Sequence, residues 1–249
     1  MKETIQRIYK FETVIGQSGK THKLHSAIDY NEGEFILNII KDNPDIVKTL
    51  EVGCAYGLSS LFICLGIRRR EGASHTIIDP FQKTSWDGVG IRYLQEAGID
   101  FFRLIETKSE FALPRLLEDK EGPFDLIFID GWHTFDHTLL DCFYATRLLR
   151  PGGVLVIDDV PFPSVKRVVE FLKNYPCYQE YCTVGDKWPM PLYNMLKRAL
   201  HSQVNCKMIA KFFSPKSYRK MCEKEVVSMI ALKKINEDNR NWDWHVDDF

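Results

Sequence analysis

The 249-residue sequence contains no apolar run near the roughly 20 residues needed to cross a bilayer, and its start, MKETIQRIYKFETVIG, lacks the apolar core of a secretion signal. A cytoplasmic location with no membrane contact is the expectation. There is no C-x-x-C pair. The seven cysteines are odd in number and scattered from Cys54 to Cys222, which argues against a zinc or dithiol centre and for reduced, mostly buried thiols. No excess of one charge sign exists either: 33 Lys and Arg against 34 Asp and Glu leave a formal net charge of -1, so no nucleic-acid partner is expected. Internal repeats and low-complexity stretches are absent as well.

What is present is the composition of an ordinary globular chain, 45% hydrophobic and 27% charged, and a single domain over 1–249 is expected. Five apolar runs, KTLEVG, SHTIID, DFFRLIE, FDLIFID and GGVLVIDD, alternate with segments of helical length. That alternation predicts an α/β fold with a Rossmann-like, mostly parallel sheet and helices on both faces. A helix through about Tyr175 should follow, then a strand near Tyr178 to Val184, and the last run, VVSMIAL, should enter the sheet as an antiparallel final strand. Residues 1–46 read as a helical preamble, with a helix capped by Asn31 and Glu34, carried by Phe35, Ile36, Ile39 and Ile40, and ending near Asn43-Pro44. About 185–222 reads as an insertion and 236–249 as a tail. The insertion is basic and rich in aromatics and the tail acidic, so the insertion is either a lid for an anionic acceptor or a solvated face; its aromatics would also allow a homodimer.

Two places carry chemistry. The first strand runs into Glu51-Val52-Gly53-Cys54-Ala55-Tyr56-Gly57, a turn whose glycines let a ligand approach the backbone. It lacks the third glycine of G-x-G-x-x-G, and Tyr56 would crowd a diphosphate, which disfavours a dinucleotide-dependent oxidoreductase. Asp79 ends the second strand 22 residues beyond Gly57, where an acid can hold the two hydroxyls of a ribose. The second place is the far strand ends. Asp130 follows one strand and Asp158-Asp159 the next, and three clustered carboxylates call for protons or a hard divalent cation such as Mg²⁺. His133, on the loop after Asp130, is a candidate base; His22, His25, His75 and His137 are read as structural.

Glu51-Val52-Gly53 with Gly57 and Ser59, Asp79, the end of FDLIFIDG and the Leu149-Arg150-Pro151-Gly152-Gly153 turn together resemble the class I S-adenosylmethionine methyltransferases, over about Asn31 to Val160. Asp79-Pro80-Phe81-Gln82 followed by Trp86, Gly88 and Gly90, and Asp130-Gly131-x-His133 followed by Asp158-Asp159, resemble a bacterial subgroup of small-molecule and sugar O-methyltransferases that often uses a metal. The resemblance implies an enzyme that binds S-adenosyl-L-methionine. Glu51 and Gly53 would line the methionine end, Ser59 would meet its carboxylate, Asp79 would hold the ribose and Ser109 would lie near the adenine, with Tyr56, Gly57 and Asp130 also at the cofactor. It implies catalysis by Asp130 and His133 and a divalent cation on Asp130, Asp158 and Asp159, where Asp158 stands in place of the Glu of some relatives. The acceptor would be a small-molecule hydroxyl, a sugar ahead of an aromatic diol. Metal-free O- or N-methyl transfer and a non-catalytic module on the same scaffold are the rival readings.

Overall fold

The computed structural model describes residues 2–186 and 226–247; the expected insertion falls almost wholly outside them. Residues 2–184 and 229–247 belong to one compact unit. The chain opens with α1 (Lys2–Phe11), β1 (Thr13–Ile15), β2 (Thr21–Lys23) and α2 (Tyr30–Asp42). Strands and helices then alternate: β3 (Lys48–Val52), α3 (Leu58–Ile67), β4 (Ser74–Ile78), α4 (Val89–Glu96), β5 (Phe102–Ile105), α5 (Ser109–Glu118), β6 (Phe124–Ile129), α6 (Phe135–Leu148), β7 (Leu149–Ile157) and α7 (Pro163–Leu172). β8 (Tyr178–Asp186) and β9 (Val226–Lys234) complete a seven-stranded sheet of order β5-β4-β3-β6-β7-β9-β8.

β3 to β7 are parallel, and β9 runs antiparallel to β7, as the sequence predicts. Chain order reverses between β3 and β6, so right-handed crossovers send helices to opposite faces. α1, α3 and α4 pack together with α2, and α5, α6 and α7 form the other packed series. Their apolar faces close over strands buried on both sides: every residue of β6 is buried, and Leu50, Val52, Ile77, Ile78 and Val154 to Ile157 are all at most 3% exposed. This two-sided burial is why four of the five runs read as continuous rather than alternating; the fifth, DFFRLIE, forms the edge strand β5, which has no fully buried residue.

The preamble is not all helix. β1 and β2 form a hairpin, anchored far along the chain: Asp87 accepts from the Ser18 amide (3.1 Å) and pairs with His22 (3.0 Å), and Arg92 donates to the Gly16 carbonyl (2.7 Å). The α2 cap also lies two residues before Asn31. Asp29 accepts from the Glu32 amide (2.8 Å) while Glu32 accepts from the Asp29 amide (2.7 Å), and within the helix Gly33 packs against the Phe62 ring. The tail is held where it is described: the Arg240 guanidinium lies 3.3 Å from the Tyr175 ring centre and 4.6 Å from that of Trp244, and Asp238 pairs with it.

One buried charge secures the closing strand. Lys234, 1% exposed, donates to the carbonyls of Thr146 (2.9 Å) and Leu149 (2.7 Å) at the carboxyl end of α6, and to Glu237 (2.7 Å). Lys234→Met keeps the stem's volume but strands two carbonyls, so it should cost about 1–3 kcal/mol. A urea midpoint unchanged from the parent would show that these bonds contribute no net stability.

Candidate active site

Four ladders each continue one residue past their strand. The amides of Gly53, Asp79, Asp130 and Asp158 donate to the carbonyls of Ile78 (2.9 Å), Ile105 (3.2 Å), Val52 (2.9 Å) and Ile129 (3.0 Å). These residues therefore stand in a row along the carboxyl edge of the sheet, where open α/β sheets bind ligands. Above the row lies a cavity of about 770 Å³, large enough for a nucleotide-sized cofactor together with a small acceptor. Its wall includes seven of the expected site residues, Gly53, Asp79, Ser109, Asp130, His133, Asp158 and Asp159, with Trp86, Trp132 and Phe162 among the aromatics and Ser26 to Ile28 arriving behind the hairpin.

The turn after β3 is shaped for close approach. Gly53 has φ +87°, and a Cβ there would stand 2.0 Å from the Asp130 carbonyl oxygen, so only glycine lets β3 and β6 end side by side. Asp79 organises this turn: its carboxylate accepts from the amides of Cys54 (3.0 Å), Ala55 (2.9 Å) and Phe81 (2.8 Å) and from Gln82 (3.1 Å). Four other expected residues are not on the cavity wall. Glu51 is fully buried beneath the turn, bonded to Ser60 and 3.2 Å from His75, with its Oε1 left without a partner. Tyr56 is buried with its hydroxyl on His25 (2.9 Å), Gly57 packs against Gly90, and Ser59 is buried in the first turn of α3. They support the turn from behind. Ser109 is the first residue of α5 rather than its cap, which is Lys108.

At the other end of the row the acids converge. The Nε2 atom of His133 lies 3.1 Å from Oδ2 of Asp159 and 3.4 Å from Oδ1 of Asp130, and ligating atoms of the three residues lie within 4.8 Å of one another. Asp159 reaches this point through a left-handed backbone, φ +56°, which Asp tolerates better than most residues. Asp158 is outside the tight group: its Oδ1 accepts the Asp159 amide (2.7 Å). Burial pushes the carboxyls of Asp130 and Asp158 well above the usual carboxylate range; the charges of Asp159, Glu51 and Glu32 push Asp130 the same way, and those of Asp130, Glu32 and Asp159 push Asp158. Burial also raises Asp159, against the opposing charge of His133. The donors are two carboxylate oxygens and an imidazole nitrogen around one point, a set that fits a divalent cation. Trp132, 60% exposed, and Phe162, whose ring lies 5.1 Å from that of His133, border the same mouth.

Comparison with known proteins finds methyltransferases. Residues 50–160 match a family model described as a methyltransferase domain. Catechol O-methyltransferase B of Danio rerio is 29% identical over 190 residues, covering 70% of each chain. Catechol O-methyltransferase of Niastella koreensis is 28% identical over 137 residues, covering 54% of this chain and 58% of that one. Among solved structures, an O-methyltransferase from Bacillus cereus in complex with S-adenosylhomocysteine shares the fold with a TM-score of 0.64 at 15% identity, over 93% of this chain and 91% of that one. The O-methyltransferase TomG from Streptomyces achromogenes, in complex with S-adenosylmethionine, does so with a TM-score of 0.57 at 20% identity, over 74% and 82%.

One site-adjacent acid was not singled out from the sequence. Asp141, on α6, is 1% exposed and lies behind Gly131 and Ser109 of the cavity wall. Its signal was an acid on the inward face of an otherwise apolar helix turn, LLDCFY. Burial lifts its carboxyl to about 7, against the Ser109 hydroxyl and the His137 charge. A raised carboxyl holds its proton in the folded chain after the unfolded chain has released it, so stability falls as pH rises between about 4 and 7. Asp141→Asn should flatten that slope and leave the variant more stable than the parent at pH 8, by up to about 4 kcal/mol. Equal pH slopes of the urea midpoint in the two proteins would contradict a buried, titrating Asp141.

Proposed function

We propose that this chain is a class I S-adenosylmethionine-dependent methyltransferase that transfers the methyl group to a hydroxyl of a small acceptor seated beside Asp130, His133 and Asp159, with a divalent cation at those acids. The convergence of these three side chains at the mouth of the cavity carries the reading. In the transfer the methyl–sulfur bond breaks as the methyl–oxygen bond forms, and the hydroxyl gives up its proton. Asp79 and the Gly53 turn hold the ribose end of the cofactor, and Ser109 lies at its adenine end. A bound cation supplies charge that favours the deprotonated oxygen. His133, the imidazole nearest these carboxylates, takes that proton in this reading.

The acceptor is a neutral molecule in this reading. Glu32, Asp79, Glu110, Asp130, Asp158 and Asp159 line the cavity against Lys108, which disfavours a phosphorylated or nucleotide-linked acceptor. An aromatic diol is favoured by the rings of Trp132 and Phe162 at the mouth and by the names of the two catechol O-methyltransferase relatives. A sugar hydroxyl is the second reading, favoured by the number of carboxylates available to accept from a polyol.

With a verified acceptor, excess EDTA should abolish turnover and Asp159→Ala should lose cation binding and activity together. Full activity under either condition would leave metal-free transfer as the mechanism. Asp79→Ala removes both a ribose partner and the acceptor for three backbone amides, so S-adenosylhomocysteine affinity should fall at least roughly tenfold. Calorimetry giving the parent's affinity would take Asp79 out of the cofactor site.

A further inference from the structure

We infer that Asp141 positions the Ser109 hydroxyl so that its oxygen accepts a hydrogen bond from the 6-amino group of the cofactor's adenine, and that this pair selects adenine against a base carrying an oxo group there. The inference rests on the reading that Ser109 stands at the adenine end of the cofactor.

Asp141 is a buried acid without a partner. It is 1% exposed on α6, and neither of its carboxylate oxygens completes a hydrogen bond. A carboxyl buried in that way costs stability, and its presence calls for a use. It faces the cavity wall from behind: a Cβ built on Gly131 would stand 3.4 Å from Oδ2 of Asp141, and Gly131 lines the cavity. The Ser109 hydroxyl, on the same wall, is near enough to oppose the effect of burial on the acid, and a rotation of that hydroxyl would close the bond between them. The charged groups facing the acid are His137, one turn earlier on α6, which favours its ionisation, and Glu110 on α5, which opposes it.

A serine hydroxyl has one hydrogen. When that hydrogen goes to an ionised Asp141, the oxygen is left to accept, and the 6-amino group is the one strong donor on the base of an adenine nucleoside. An oxo group in its place would set lone pairs against lone pairs and leave the site's acceptor unpaired. Burial lifts the Asp141 carboxyl to about 7, so the acid is mostly ionised above that pH and neutral below it. A neutral Asp141 can itself donate to the Ser109 oxygen, which frees the hydroxyl hydrogen and weakens the selection. Discrimination therefore rises with pH. The plainer account is that Glu110, also on the wall and 3.6 Å from Lys108, takes the amino group alone while Asp141 only fills space.

The test titrates S-adenosylhomocysteine and S-inosylhomocysteine, its 6-oxo counterpart, into the full chain by calorimetry between about pH 5.5 and 8. The proteins are the parent, Ser109→Ala, Asp141→Leu, the double variant, Asp141→Asn and Glu110→Ala, with thermal melts to check each fold. The ratio of the two affinities is read because a loosened fold lowers both alike. The parent should prefer the adenine compound by at least roughly tenfold at the upper pH and by less at the lower. Ser109→Ala and Asp141→Leu should each bring the ratio close to one, with no further loss in the double variant. Asp141→Asn, whose amide oxygen still accepts from the hydroxyl, should keep part of the ratio without its pH dependence. A ratio unchanged in Ser109→Ala or Asp141→Leu, or lost only in Glu110→Ala, would overturn the inference while leaving the cofactor in place. Absence of binding by either compound to the folded parent would overturn the cofactor reading itself.

Discussion

The site depends on the strands of the sheet ending level. Ile78, Val52, Ile129 and Ile157 are the last residues of β4, β3, β6 and β7, and they are partners across the three parallel ladders. All four are buried, so slipping any ladder by one residue would turn a core side chain outward and change which residue comes next at the edge. Hydrophobic burial thus sets the register, and the register sets chemistry. It puts Gly53, Asp79, Asp130 and Asp158 in one line with no interaction among the four required to hold them there. Helices from opposite faces then wall the line, because the chain reverses its direction across the sheet between β3 and β6.

That line concentrates negative charge, and the fold treats its members differently. Asp79 is bonded by three backbone amides and a glutamine, so its charge is balanced by the turn it shapes. Glu51 has His75 and Ser60, though one oxygen remains unpartnered. Asp130, Asp158 and Asp159 are balanced far less well: burial and mutual repulsion raise the first two strongly, and His133 is the one opposing charge acting on Asp159. Such a cluster costs stability in the absence of a ligand, and the strands beneath it cannot relax to separate the groups. The left-handed conformation of Asp159 adds local strain in the same place. Strain and repulsion confined to one end of a cavity are what a bound cation would relieve.

Much of this was legible in the sequence, for physical reasons that differ by element. The parallel strands announced themselves because two-sided burial demands unbroken apolar runs, and Asp79, Asp130 and Asp158 could be placed at strand ends because they follow those runs directly. The α2 cap was misplaced by two residues because Asp29/Glu32 and Asn31/Glu34 satisfy the same spacing. The hairpin was not legible: its strands are three residues long, and its anchor, Asp87, lies about 70 residues further on. Within the site, the separation of Asp158 from Asp159 depends on one positive φ, and the inward turn of Glu51 depends on His75 of the neighbouring strand. Asp141 was passed over because its one signal, a lone acid in the apolar helix turn LLDCFY, lies away from the strand ends where the other acids stand.

The charge around the mouth also constrains what can enter. Glu32, Asp130, Asp158 and Asp159 carry up to four negative charges there, and the repulsion felt by Asp130 and Asp158 from Glu32 shows that the amino-terminal helix takes part. In the proposed reading a divalent cation and the sulfonium would together bring three positive charges, leaving the filled site close to neutral or slightly negative. An acceptor that arrives as an anion would meet no net attraction, whereas a neutral hydroxyl enters without penalty and develops its negative charge only next to the cation as the proton leaves. The aromatic border of Trp132 and Phe162 supplies apolar contact for the rest of such an acceptor without adding charge. Selectivity at this site therefore comes from where charge appears during the reaction more than from charge the acceptor brings with it.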